Sequence, residues 1–224
     1  MLKPGKTYEE IRKAFRWEVP RTYNIGVDVC DRQPAGVRAL IYEDENGKVT
    51  TYTFGDLRRL SNQFANVLQG LGVQPGERVG ILLAQSPEAA IAHLGVYKMG
   101  GVAVPLFTLF GPDAIEYRLL NSDARLVVTD SKSFEKVHAI RERLPNLAAV
   151  LITDGEGENA ANFWKLLEKA SGDFRSLATR ADDPALIIYT SGTTGPPKGA
   201  VHAHRVLLGH LPGVEFPHNL FPKV

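Results

Sequence analysis

The sequence predicts an α/β fold, a mixed or parallel sheet flanked by helices. Three observations predict it. From Arg78 onward, short apolar runs alternate with longer amphipathic segments, the pattern of repeated βα units. Those runs, such as Val79 to Ala84, are apolar almost throughout, as strands covered on both faces require. A chain of 224 residues with 44% apolar and 23% charged side chains also buries a core large enough to exclude intrinsic disorder.

The elements follow in order. Tyr8 to Phe15 has weak helical periodicity and Pro20 stops it, with a short second helix over Asn24 to Asp31. Residues 1–35 thus form a lead-in of helices. Arg38 to Glu43 and Lys48 to Thr53 read as a hairpin around Asn46-Gly47, a pair suited to a type I′ turn. Thr53 caps an amphipathic helix carrying Leu57, Leu60, Phe64, Val67, Leu68 and Leu71, with Asp56 completing an imperfect capping box. After the strand at Val79, Ser86-Pro87-Glu88 opens a helix that runs to Met99 and ends at Gly100-Gly101. Strands then follow at Val102 to Leu106, Leu126 to Thr129 and Ala148 to Thr153. Helices occupy Pro112 to Leu120, Ser133 to Leu144 and Asn162 to Ala170, and Ala185 to Tyr189 is the last strand. In such sheets ligands bind beyond the carboxyl ends of the strands.

Composition excludes several classes. Lys and Arg number 26 against 25 Asp and Glu, a net charge of +1, which gives no support to a nucleic-acid partner. The single cysteine, Cys30, forms no intramolecular disulfide and no cysteine zinc site, and fits a reducing compartment. The N-terminus lacks the apolar stretch of a secretory signal, and Val102 to Phe110 is about half the ~20 residues of a membrane span. A cytoplasmic protein is expected.

Chemistry concentrates after the last strand, in Tyr189-Thr-Ser-Gly-Thr-Thr-Gly-Pro-Pro-Lys-Gly-Ala200. Thr190, Ser191, Thr193 and Thr194 carry hydroxyls. Gly192, Gly195 and Gly199 supply backbone freedom, and Lys198 supplies positive charge. Such a loop turns several N–H groups towards one anion, and hydroxyls and a lysine complete a polyphosphate cradle. It is not a Walker A loop, since Lys198 lies between Pro197 and Gly199. A surface linker of Ser, Thr, Gly and Pro is the bland reading. The preceding apolar strand and the lack of acidic residues weigh against it.

Tyr189 to Gly199 resembles the phosphate loop of the adenylate-forming superfamily, which includes acyl-CoA synthetases, luciferases and peptide-synthetase adenylation domains. Every fixed position matches, with Pro196 in the variable one. Thr51 to Leu57, Pro75 to Val79 and Lys98 to Pro105 are similar to further stretches of that superfamily. Pro105 to Gly111 and His202-Ala-His204 look most like short- and medium-chain acyl-CoA synthetases. The resemblance implies that residues 36–224 are the N-terminal part of an AMP-binding large domain. It implies that a carboxylate attacks the α-phosphate of ATP, and that the thiol of coenzyme A then displaces AMP, with Mg²⁺ assisting. By position, Thr190, Ser191, Gly192, Thr193, Thr194 and Gly195 would wrap the β- and γ-phosphates, and Lys198 would neutralise charge. It implies that the catalytic lysine, the metal-binding glutamate and most of the acyl pocket lie beyond Val224. The chain is therefore expected to be an N-terminal fragment, inactive alone, that holds no metal set of its own. Surface that the missing half would cover implies a homodimer, other self-association or poor solubility.

Other residues read as structural. His202 and His204 lack ligand partners nearby except Glu215. Cys30 has no neighbour in sequence that would lower its pKa. Asp130 reads as a helix N-cap, Trp164 as core, and Arg141 and Arg143 as a solvated helix face. Two rivals remain. A divergent phosphate-loop kinase or NTPase would release ADP or transfer phosphoryl. A non-catalytic nucleotide-binding or scaffold module would bind without reaction.

Overall fold

Apolar residues that alternate along each strand face two different cores, and that alternation sets the architecture. In the computed structural model, which describes residues 3, 5–191, 195–215 and 217–218, the chain opens with α1 (Tyr8–Ala14) and a π-helical turn at Val27–Asp31. A hairpin of β1 (Arg38–Glu43) and β2 (Val49–Thr53) leads into α2 (Phe54–Gly70). Then come β3 (Arg78–Leu82), α3 (Pro87–Lys98), β4 (Val102–Pro105), α4 (Pro112–Asn121), β5 (Ala124–Thr129) and α5 (Ser131–His138). The chain continues through β6 (Ala149–Ile152), β7 (Ala161–Asn162), α6 (Phe163–Lys169), β8 (Pro184–Thr190), β9 (Lys198–Ala203) and α7 (Val206–Glu215).

Among the described residues, β3 to β9 form a seven-stranded sheet in the order β7-β6-β5-β3-β4-β8-β9. Its pairings are parallel except β8 with β9, which are antiparallel. On one face Val79, Ala103, Leu126, Val128 and Leu151 pack with α2, α3 and α6. On the other, Val102, Val104, Val127, Val150 and Ile152 pack with α4 and α5. The period of two along a strand sends successive side chains to opposite layers. Burying a residue such as Phe64 or Leu119 contributes about 1.5–3 kcal/mol. From β3 the chain moves to β4 on one side, then crosses back to β5 on the other. A cleft lies beyond the carboxyl ends of β3, β4 and β8, where ligands of such sheets bind.

Several helix ends follow their local signals. The Thr53–Asp56 capping box is complete, since each side chain bonds the other residue's backbone N–H. Ser86 caps α3 and Asp130 caps α5, accepting from Ser133 N at 2.6 Å. Gly95 lets α2 and α3 approach, for a Cβ there would stand 2.6 Å from Phe64 Cδ1.

Four expectations are corrected. The Asn46-Gly47 turn is not type I′, because only Gly47 has positive φ, +78°. Asp44 organises it instead, its Oδ1 accepting from the amides of Asn46 and Lys48 at 2.9 Å each. The expected helix over Ser133 to Leu144 ends at His138, and Arg141–Arg143 forms a separate 3₁₀ turn. Ile140 and Leu144 stay buried, so the apolar period continues across a backbone break. Arg141 and Arg143 thus lie on that turn, with Arg143 paired to Glu116 at 2.8 Å. Third, β8 is not the last strand, because β9 returns beside it. The last correction, to the role of Gly199, belongs to the site. A further helix, α7, forms despite Gly209, Pro212 and Gly213. Packing of Leu208 and its neighbours against the core outweighs a poor helix propensity.

Candidate functional site

The strands that end at the crevice build its walls. Leu83, Ala84 and Gln85 follow β3, Leu106, Phe107 and Phe110 follow β4, and Ile188 and Tyr189 lie near the end of β8. The N-terminal half of α3 adds Ser86, Ala89 and His93, and β1 adds Leu40 to Tyr42. The cleft measures about 570 Å³ and is mostly apolar. His93 is the imidazole of its wall. Burial pushes its imidazole down to about 4, and Nδ1 lies 3.1 Å from Tyr97 Oη. It is therefore neutral at pH 7 and brings no positive charge to an anion.

The glycine-rich loop begins where this cleft ends. Thr190 closes β8 and Lys198 opens β9, and the two are partners across the ladder. Directly opposed residues put their side chains on one face, so hydroxyl and ammonium leave the hairpin together. Thr190, Ser191, Gly195 and Lys198 are all exposed. Gly195 has φ +80°, a conformation that favours glycine. Gly192, Thr193 and Thr194 lie outside the described residues. Gly199 does not supply the backbone freedom expected of it. It gives room, since a Cβ there would stand 2.9 Å from Ile187 Cγ2 and 3.2 Å from the Tyr189 ring.

The loop's support comes from α4, which sequence reasoning missed. Tyr117 Oη donates to the Pro197 carbonyl at 2.9 Å, and Tyr189 Oη donates to Asn121 Oδ1 at 2.7 Å. The only sequence signal was that Tyr117 and Asn121, four apart, share a helix face.

The other candidates are structural. His204 is buried, and its Nδ1 accepts from the Ile25 amide at 3.2 Å. Burial lowers its pKa to about 4, against a smaller opposing effect of Asp183. His202 lies on β9, two positions away. Cys30 is buried with Sγ 3.8 Å from the Phe54 carbonyl, and burial pushes the thiol up. Trp164 packs against the core and donates from Nε1 to Glu88 at 3.2 Å. Among the described residues no three His, Cys, Asp or Glu converge on a metal position. The exposed hydroxyls and Lys198 suit phosphate oxygens, which can themselves carry Mg²⁺.

Known proteins share this fold. The chain is 35% identical to the acetyl-coenzyme A synthetase of Bacillus subtilis (strain 168), over 91% of this chain and 38% of that one. It is 33% identical to a mitochondrial acyl-coenzyme A synthetase of Mus musculus, over 88% of this chain and 36% of the relative. The chain thus spans little more than a third of these relatives. The crystal structure of a Brucella canis acyl-CoA synthetase superposes with a TM-score of 0.84 at 27% identity, covering 93% of this chain and 40% of that one. The anthranilate CoA ligase AuaEII, solved with anthranoyl-AMP, gives 0.80 at 31% identity, over 88% and 38% of the two chains. The family model described as AMP-binding enzyme matches residues 27–220. A match over that much of the sequence, on a fold shared with acyl-CoA ligases, means that the chain belongs to the AMP-binding enzyme family.

Proposed function

We propose that this chain carries the polyphosphate-binding part of an AMP-forming ligase that joins a carboxylic acid to coenzyme A. The observation that carries the reading is the position of the loop. Thr190 and Ser191 stand at the carboxyl end of β8, and Gly195 and Lys198 lead into β9, beside an apolar cleft beyond the ends of β3, β4 and β8. With Gly192, Thr193 and Thr194 they make up the residues proposed to hold the β- and γ-phosphates of ATP. A carboxylate oxygen then bonds to the α-phosphorus, and the bond to pyrophosphate breaks. Thiolate attack on the acyl carbon next expels AMP. Mg²⁺ on the phosphates would spread the developing charge. Loop donors and Lys198 would hold the leaving group in place. The apolar cleft suits the organic part of a substrate.

Residues 36–224 are proposed as the N-terminal part of the AMP-binding large domain, with 1–35 as its lead-in. Among the described residues no helix is long and apolar enough to cross a membrane, and a buried free Cys30 supports a reducing, cytoplasmic setting.

ATP–pyrophosphate exchange tests the reading, run on the longest product of the gene that carries this chain, with short, medium and aromatic acids. Exchange that depends on one acid class is expected. None with any acid, from folded protein, would leave a binding module. Self-association of the chain is proposed as well, from surface that the rest of such a large domain would cover. Light scattering should show species larger than a monomer as concentration rises, and a clean monomer would exclude it.

A further inference from the structure

Both stems of the glycine-rich loop are tied to one helix. On the exit side, Tyr117 Oη holds the Pro197 carbonyl at 2.9 Å. On the entry side, Tyr189 Oη donates to Asn121 Oδ1 at 2.7 Å and lies 3.3 Å from the Arg118 carbonyl. The two tyrosine rings meet edge to face, with centroids 6.4 Å apart. Between the cleft and the stem sits Arg118, its guanidinium 4.0 Å from the Phe110 ring centre and 5.6 Å from that of Tyr189. It is buried, so its contacts are made out of water, where cation–π attraction is strongest.

We infer that Tyr117 and Asn121 are positioning residues. From one helix they hold the entry and exit stems at a fixed separation, so that Lys198 and the stem amides meet a polyphosphate already placed. The geometry supports this in three ways. Tyr117 and Asn121 are four residues apart on a helix, so their spacing is rigid. The Pro197 carbonyl belongs to the peptide that carries the Lys198 amide, and holding it fixes where the lysine side chain starts. Tyr189 packs on Gly199, the residue after Lys198, with a Cβ position 3.2 Å from its ring. Each tie thus acts within one residue of Lys198. Holding the stems lowers the ordering cost that ligand binding would otherwise meet.

The role rests on the polyphosphate reading of the loop, and the experiment separates the two. Magnesium tripolyphosphate is titrated into the 224-residue chain by calorimetry. Amide hydrogen exchange is followed at Lys198 and Gly199 without ligand. Tyr117→Phe removes one hydroxyl and Asn121→Ala one acceptor. Each should weaken tripolyphosphate binding about 2- to 10-fold, as loss of one hydrogen bond predicts, and speed exchange at both amides. Asn66→Ala is the comparison. It removes bonds to the Ser171 and Asp173 carbonyls at 2.8 and 2.9 Å, and should lower stability while leaving affinity unchanged. Equal affinity and equal exchange in Tyr117→Phe and the parent chain would overturn the positioning role. If the parent chain does not bind tripolyphosphate, the polyphosphate reading fails and takes the positioning role with it. Faster exchange in Tyr117→Phe would then record only a structural tie.

Discussion

Asp31→Ala is expected to lower the unfolding free energy by about 3–5 kcal/mol, because it strands a buried ammonium. Lys98 is fully buried between α3 and its neighbours. Its Nζ lies 2.5 Å from Asp31 Oδ1, 2.8 Å from Ser61 Oγ and 2.9 Å from Asn62 Oδ1. The serine and asparagine, both on α2, offer dipoles, and Asp31 brings the opposing charge. Burial lowers the Lys98 pKa, and Asp31 works against that shift. Without the carboxylate the folded-state pKa falls further, while the unfolded lysine keeps its proton to about pH 10.4. Between those two values the unfolded chain binds more protons, so stability rises with pH. The deficit of the variant should therefore be largest near pH 7 and shrink towards pH 10. Urea midpoints at the two pH values check it. A deficit below about 1 kcal/mol, or one equal at both, would show that the ammonium is not stranded. Adding Lys98→Met to Asp31→Ala should recover much of the loss, since an apolar side chain tolerates that site without a partner.

Lys198→Ala should slow ATP–pyrophosphate exchange by on the order of 10²-fold, the usual cost of one preorganised group at a developing charge. The half-saturating carboxylate concentration should change little, since the lysine sits on the hairpin rather than in the apolar cleft. Lys198 and Thr190 face each other in the β8–β9 ladder, so the ammonium starts beside the hydroxyl proposed to meet the same anion. Lys198→Arg keeps the charge on a larger, planar group and should recover part of the rate. An exchange rate unchanged in Lys198→Ala would remove this residue from the chemistry.

Local signals carried much of the reading. Thr53 with Asp56, Ser86 with Pro87, and Asp130 with Ser133 act across three residues or fewer, and each cap formed as its residue types require. The phosphate-loop reading came from residue types within eleven consecutive positions, Tyr189 to Gly199. Tertiary forces overrode such signals elsewhere. The apolar period from Ser133 to Leu144 read as one helix, yet Ile140 and Leu144 reach the core from a broken backbone. Gly209 and Pro212 disfavour helix, yet Leu208 gains enough by burial for α7 to form. Gly199 looked like a source of freedom and is instead the space that the Tyr189 ring occupies.

The sequence by itself determined the βα order, most helix caps, the residue types of the loop and its place after an apolar strand. Those properties depend on residues within a few positions of one another, where period and cap chemistry act. Only the tertiary structure decided that the loop joins two antiparallel strands, that an apolar cleft opens beside it, and that α4 holds its stems. The ties from Tyr117 to Pro197 and from Tyr189 to Asn121 span 80 and 68 positions. Their strength depends on how the folded sheet brings distant segments within hydrogen-bonding distance, which no local pattern encodes.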